Sequence, residues 1–301
     1  MGKKKIRIAL TAGDPFGVGP ELSLAVARDA EEEVTLYGDP VQLQGAARLV
    51  AVPIEGERPE TPGPSATGGR AALAALRRAM EDLRAGRQDA LVTAPISKES
   101  CALAGAGAAG HTPLLGRFFG VAEPLMAFVW DEDEPVVALL TVHIPLRAVA
   151  ASLTSAKVER AALVLHAALR ERFRRKQARL GILGLNPHAG EGGRLGSEEA
   201  DHVAPAIERL RARGLEVSGP LPGDTAFAVR ERFDGLLALY HDQGLAPVKA
   251  LAFRRAVNVT LGLPIVRTSP AHGTAFDLAG SGRADPSSLR AAVLWAARLA
   301  R

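Results

Sequence analysis

The stretch LGILGLNPHAGEGGRLGSEEADHVAPAIERLRARG, residues 180–214, decides how the chain folds. Residues 180–185 are a short apolar run closed by turn-forming residues, the pattern of a strand buried on both faces. From Glu198 to Arg213 apolar residues recur at helical spacing among charged ones, and Ser197 is placed to cap the helix. Between the two lies NPHAGEGG, which carries His188. A strand, a glycine-rich loop and a helix in succession are the repeating unit of an α/β protein with a largely parallel sheet.

The alternation extends outward in both directions. Residues 6–10, 34–37, 90–92, 136–142, 235–239 and 257–259 read as further strands. Residues 70–85, 155–175 and 287–300 read as helices, with Ser155 at a capping position, and 56–69 (GERPETPGPSATGG) reads as a long surface loop. A length of 301 residues provides for two such domains. The chain is 47% hydrophobic and 23% charged, which excludes a disordered, collagen-like or coiled-coil protein. The single cysteine, Cys101, excludes a disulfide framework and a cysteine-ligated zinc or iron–sulfur site, and points to a reducing, cytoplasmic setting. Gly13, Asp14 and Pro15 break the first apolar run too early for a signal peptide, and no apolar run is long enough to span a membrane. The net charge of +4 comes from arginines scattered along helical segments. Its one dense run, 170–176, reads as a solvated helix end, so no nucleic-acid partner is expected.

Ligands of open α/β sheets bind beyond the carboxyl ends of the strands. There the first strand runs into TAGDPFGVGPE, which lacks the lysine of a phosphate-binding P-loop and the third glycine of a dinucleotide fingerprint. Pro20 suits the first position of the helix that follows. Residues 90–92 run into TAPISK, with Ser97 and Lys98. His143, His188 and His241 follow three different strands. Each alone is most simply a surface or core histidine; together they make a candidate set for one cation of the zinc or cobalt type, with Asp242 and Asp224 as nearby carboxylates. Lys249, Asn258 and Arg267 recur every nine residues, a spacing without helical meaning. Arg267 and Lys249 suit a phosphate or carboxylate; surface charge is the alternative, and from the residues alone the simpler reading of Lys249.

Taken in order, TAGDPFGVGPE, TAPISK, GHT, TVHIPL, LNPHAGEGG, GPLPGDTAF, YHDQGLAPVK, VNVTLGLPIVRTS and HGTAFDLAG span nearly the whole chain. They resemble the 4-hydroxythreonine-4-phosphate dehydrogenase family of pyridoxal phosphate biosynthesis. HGTAFDLAGSGRADP (residues 272–286) is also similar to the nucleotide-binding loop of isocitrate and isopropylmalate dehydrogenases, which bind their cofactor without a Rossmann fingerprint. The resemblance implies two α/β domains with an active cleft between them. Residues 1–115 with 265–301 would form the cofactor side, and 116–264 the metal and dimer side.

It also implies NAD-dependent, divalent-metal-dependent oxidation and decarboxylation of 4-phosphooxy-L-threonine to 3-amino-2-oxopropyl phosphate, in a homodimer whose active site lies at the interface. His143, His188 and His241 would hold one Zn²⁺, Mg²⁺ or Co²⁺ per site, one of them supplied by the second subunit. His111, Thr112, Lys249, Asn258 and Arg267 would bind substrate. Gly273, Thr274, Ala275, Asp277 and Gly280 would bind NAD, taken as preferred over NADP although Arg283 lies near in sequence. Lys249, Asp242 and Asp224 would serve catalysis as proton-relay or supporting groups. The sequence departs from the family pattern at Pro113 (usually Glu), Ala271 (usually Asp) and Ser281 (often Lys). These positions bear on the substrate, and dehydrogenases of phosphorylated threonate or erythronate share the motifs. A metallohydrolase using the same histidines and a non-catalytic phosphometabolite binder are the alternatives from other classes.

Overall fold

In the computed structural model, which describes residues 5–106 and 110–301, the chain divides into two α/β units. Met1–Pro124 with Val257–Arg301 form the first and Leu125–Ala256 the second. The junctions fall at 124/125 and 256/257 rather than at 115/116 and 264/265. Helix His111–Phe119 buries Leu115 in the first unit's core, and strand Val257–Leu261 pairs with Val266–Pro270 of the same unit.

In chain order the strands of the described residues are β1 (Arg7–Thr11), β2 (Glu33–Gly38), β3 (Leu49–Ala51), β4 (Ala90–Thr93), β5 (Leu125–Val129), β6 (Val136–Leu139), β7 (Leu180–Leu183), β8 (Val217–Leu221), β9 (Gly235–Ala238), β10 (Val257–Leu261) and β11 (Val266–Pro270). The first unit has the order β3-β2-β1-β4-β11-β10, parallel except for the antiparallel pair β10–β11. The second has the order β5-β6-β9-β7-β8, parallel except for β5–β6. Among the described residues no helix is long and apolar enough to cross a membrane.

Four strands escape the sequence pattern. β3 is a three-residue edge, β8 carries Gly219 and Pro220 at the other edge, and β5 goes unread. β11 is wholly buried yet reads VRTSP. Arg267 and Thr268 find partners only in the assembled fold: Arg267 donates to Thr260 and Thr93 on neighbouring strands, and Thr268 to the carbonyl of Ala292 in helix Ser287–Ala300. β6, β7 and β9 end at Leu139, Leu183 and Ala238, short of the expected 142, 185 and 239. The three histidines therefore sit in the loops and helix start beyond the strands. His241 opens helix His241–Ala252, which Gly244 and Pro247 conceal from pattern reading. Gly244 is there because a Cβ would lie 2.5 Å from the Leu139 side chain.

Helix boundaries also shift for identifiable reasons. Helix Ala66–Arg84 claims residues 66–69 from the expected loop, because Ser65 Oγ caps it by accepting from Gly68 N at 3.0 Å. Thr154, not Ser155, caps helix Ser155–Glu171. That helix stops within the basic run, where Arg170 and Arg175 donate to main-chain carbonyls of Arg175 and Glu134. Gly19 and Pro20 open helix Gly19–Asp29 behind Val18. Residues 198–213 are two pieces, a π turn over Glu199–Val203 and helix Ala204–Ala212. Pro205 has no N–H to continue a regular ladder across the join.

Gly69 tests how tightly this scaffold is packed. An alanine in a helix interior is ordinarily worth about 1 kcal/mol over glycine, but here its Cβ would lie 2.0 Å from the carbonyl oxygen of Ser100. Gly69→Ala is therefore expected to destabilise the fold, by about 1–3 kcal/mol as for other overpacked sites. A urea unfolding midpoint below that of the parent protein is the outcome expected; an unchanged or raised midpoint contradicts the close approach.

Candidate functional site

In the first unit three loops converge by backbone contact. Asp14 N donates to the Pro95 carbonyl at 2.9 Å, and Val18 N to the Thr274 carbonyl at 3.0 Å. A Cβ on Gly17 would meet that Thr274 oxygen at 2.7 Å, and one on Gly19 would meet the Ala12 oxygen at 2.0 Å. The glycines of GDPFGVGPE thus join the strand-end loops to one another. Asp14 is fully buried, accepting from Ser100 Oγ at 2.7 Å; burial pushes its carboxyl up, against the pull of that bond. Ser97 caps helix Lys98–Leu103, so its role is structural, while exposed Lys98 lies beside Gly110.

Beyond Thr274 the loop is open. Nothing lies within 4 Å of a Cβ at Gly273 or Gly280, Ala275 adopts φ 44°, and Asp277 is exposed. A groove of about 370 Å³, lined by Phe16, Gly17, Glu21, Gln42, Ala279 and Gly280 among others, runs beside it. That volume is within the range of small-molecule and cofactor sites. Exposed backbone without Cβ crowding suits close approach of a nucleotide.

Among the described residues this unit encloses seven side-chain polar atoms that have no hydrogen-bond partner, and three of them belong to the expected substrate residues: His111 Nε2, Asn258 Oδ1 and Arg267 Nε. Arg267 is 3% exposed. Its two terminal nitrogens donate to Thr260 Oγ1 (3.0 Å) and Thr93 Oγ1 (2.7 Å), and among the described residues it has no carboxylate partner. Burial pulls the guanidinium down to about 9. Burial first, and then the charge of Arg267, hold the His111 imidazole well below its ordinary range. Asn258 and Thr260, two residues apart on β10, share the face toward Arg267. A guanidinium N–H, a neutral imidazole nitrogen and an amide oxygen suit an anion attached to a hydroxyl or ammonium group. Thr112 follows His111 at the head of the same helix.

In the second unit the His143 and His241 rings lie 5.8 Å apart between centroids. Two imidazoles on one tetrahedral ion, with Zn–N of about 2.0–2.1 Å, have centres on the order of 5–6 Å apart. Asp242 Oδ1 lies 2.6 Å from His241 Nδ1, which leaves Nε2 as the ligating nitrogen. Among the described residues, however, no three His, Cys, Asp or Glu side chains of one chain gather as a metal site. His188 is not brought to the pair. Asp224 is exposed in the short helix Gly223–Ala226, and Lys249 is half-buried two turns into the helix that His241 opens.

Two residues not singled out from the sequence organise these loops. Gln243 accepts from Leu239 N (2.7 Å) and donates to the Gly184 carbonyl (2.6 Å), tying the root of His241 to the root of the His188 loop. Glu199, 5% exposed, accepts at 2.7 Å from both Leu185 N and Asn186 N. Burial pushes its carboxyl up, but the bonds from Asn186 and Leu185 outweigh that and leave it below the usual range. Beyond it His188, Ala189 and Glu191 all have positive φ (51°, 53° and 43°). Left-handed residues of this kind each cost on the order of 1–2 kcal/mol. The Gln in YHDQG was a visible signal; nothing in sequence separates Glu199 from Glu198.

Residues 21–296 match the model of the family described as pyridoxal phosphate biosynthetic protein PdxA. The 4-hydroxythreonine-4-phosphate dehydrogenase of Thioalkalivibrio sulfidiphilus (strain HL-EbGR7) is 43% identical, over 98% of this chain and 97% of that one. A crystal structure of 4-hydroxythreonine-4-phosphate dehydrogenase from Klebsiella pneumoniae superposes with a TM-score of 0.90 at 33% identity, covering 100% of this chain and 99% of that one. Isocitrate dehydrogenase from Methylococcus capsulatus (TM-score 0.50, 14% identity, 96% and 84% covered) shares the fold alone.

The enclosed imidazole has a consequence for stability. With its folded pKa below the unfolded value, His111 stays neutral in the folded chain while the unfolded chain takes up a proton below about pH 6.5. This group therefore favours unfolding as pH falls below about 6.5, by at most about 1.4 kcal/mol per pH unit. Urea midpoints of the ligand-free protein between pH 7.5 and 5 are expected to fall more steeply for the parent than for His111→Gln; parallel curves contradict the assignment.

Proposed function

The chain belongs to the PdxA family of pyridoxal phosphate biosynthetic proteins, and from that membership we propose that it oxidises and decarboxylates 4-phosphooxy-L-threonine to 3-amino-2-oxopropyl phosphate with NAD and a divalent cation. The observation that carries this is the buried Arg267, with unsatisfied Nε beside the unsatisfied His111 Nε2 and Asn258 Oδ1. A phosphorylated hydroxy-amino acid offers the anion that the guanidinium lacks, and a hydroxyl or ammonium for the amide oxygen. Arg267, His111, Thr112 and Asn258 bind it, and Lys249 meets a further anionic group.

His143 and His241 of one chain, with His188 of a second copy, hold the cation. An all-imidazole donor set favours Zn²⁺ or Co²⁺ over Mg²⁺. Exposed Ile144 and Leu146, which follow His143 in sequence, are apolar surface for that second copy to cover. When bound, the cation supplies Lewis acidity toward the substrate's oxygens and NAD accepts the hydride. Asp242 holds the His241 ring through Nδ1, and Lys249 is assigned a proton at the substrate after CO₂ leaves. Gly273, Thr274, Ala275, Asp277 and Gly280 bind NAD against open backbone. Asp224 serves as a supporting carboxylate.

The test is the growth of reduced-nicotinamide absorbance with NAD, Zn²⁺ or Co²⁺ and each of 4-phosphooxy-L-threonine, phosphorylated threonate, phosphorylated erythronate and unphosphorylated 4-hydroxythreonine. Turnover is expected to be fastest with the first and weakest with the last. Equal turnover of the unphosphorylated compound refutes the phosphate pocket, and a preference for a phosphorylated threonate or erythronate moves the chain to a sister activity. A charge-assisted bond is worth about 1.5–3 kcal/mol, so Arg267→Ala should raise KM for the phosphorylated substrate roughly ten- to a hundred-fold and leave KM for NAD unchanged. Lys249→Ala should lower kcat instead.

A further inference from the structure

Resting on the assignment of His188 as a metal ligand, we propose that Glu199 is the positioning residue that presents this imidazole to the cation. Gly184 N makes the last bond to the neighbouring strand, donating to the Leu221 carbonyl, and Glu199 Oε1 takes the next two backbone N–H groups, those of Leu185 and Asn186, both at 2.7 Å. Its second oxygen accepts from Asn186 Nδ2 at 3.0 Å, and that same amide donates to Glu198 Oε2 at 2.7 Å. The adjacent carboxylates thus clamp the peptide and side chain at the root of the loop. From there His188 to Gly192 run through five successive positive φ values.

The clamp also defines the space around the turn. A Cβ on Gly190 would lie 2.7 Å from Glu199 Oε2, and one on Gly184 would lie 2.8 Å from Ala189 Cα and 3.2 Å from Glu199 Oε1. A Cβ on Gly196 would meet Asn186 Nδ2 at 2.5 Å. Gly184 and Gly190 have no room for a side chain because the loop is folded down onto a buried carboxylate. Glu199 itself opens the π turn Glu199–Val203, a distortion that recurs at functional sites. Glu199 touches no reacting group in this geometry and acts on the imidazole only through the backbone.

Glu199→Gln isolates this role. It keeps an oxygen for the two backbone donors but sets its amide nitrogen against Asn186 Nδ2, two donors face to face, while Glu198 holds the Asn186 amide from turning over. Asn186→Ala removes the side-chain bonds alone, at a partly exposed position, and serves if the first variant does not fold. Calorimetric titration of the metal-free, full-length protein with Co²⁺ is compared for the parent, Glu199→Gln, Asn186→Ala, His188→Ala and each of the first two combined with His188→Ala. Circular dichroism checks the fold, and KM for NAD serves as the control.

His188→Ala and Glu199→Gln should each weaken Co²⁺ binding at least tenfold, as losses around a metal's ligands typically do. Asn186→Ala should weaken it less, and neither variant should add to the loss in the His188→Ala background. KM for NAD should not move in Glu199→Gln or Asn186→Ala at saturating Co²⁺. Additive losses, or parent-like Co²⁺ binding in folded Glu199→Gln and Asn186→Ala, overturn the proposal while leaving His188 a ligand. Parent-like binding in His188→Ala removes the ligand assignment, and with it any role for Glu199 through that residue.

Discussion

The organising constraint is a guanidinium buried in the middle of a sheet without a carboxylate. Withdrawing one such charge from water costs several kcal/mol even after relaxation, and the first unit answers with hydroxyls, Thr93 on β4 and Thr260 on β10. Much of the local architecture follows. The strand beside β11 must run antiparallel to set Thr260 opposite Arg267 and Asn258 two residues away on the same face. The helix at His111 brings an imidazole that burial and the charge of Arg267 hold neutral. What remains is a half-satisfied cation, which is a poor core and a good anion receptor.

The second unit meets a different demand: to hold imidazoles on loops rather than in a core. Its strands stop early, Gln243 and Glu199 take over backbone N–H groups that the sheet no longer satisfies, and Asp242 holds the His241 ring. The left-handed run from His188 is tolerated because the root of the loop is pinned on a buried carboxylate and its glycines admit close packing. On the proposed function, the division of labour is chemical. The first unit supplies cations and open backbone for phosphate and nucleotide, and the second supplies nitrogen ligands for a metal.

Much of the fold was legible because both units repeat one local grammar. Apolar runs such as ALVT and GLLA are buried on both faces, and helices such as Ser287–Ala300 carry their period openly. β11 was illegible for a reason that belongs to the site: VRTSP looks like a polar loop until Arg267, Thr268 and their partners are assembled. Helix His241–Ala252 was hidden by Gly244, whose missing side chain matters only where Leu139 passes over it. The motif histidines and basic residues could be picked out individually, yet their neighbours could not.

By itself the sequence determined the α/β class, the strand-end placement of the chemically capable residues and, through nine ordered motifs, the family. Those are local properties, set by periodicity, turn chemistry and residue type along the chain. Only the tertiary structure decided that Arg267 is enclosed without an acid, that His143 and His241 are neighbours while His188 is not, and that Glu199 rather than Glu198 is the buried clamp. Burial and hydrogen-bond partnership are properties of pairs far apart in sequence. A carboxylate that accepts two backbone donors in the interior and one that meets only a side-chain amide are written with the same letter.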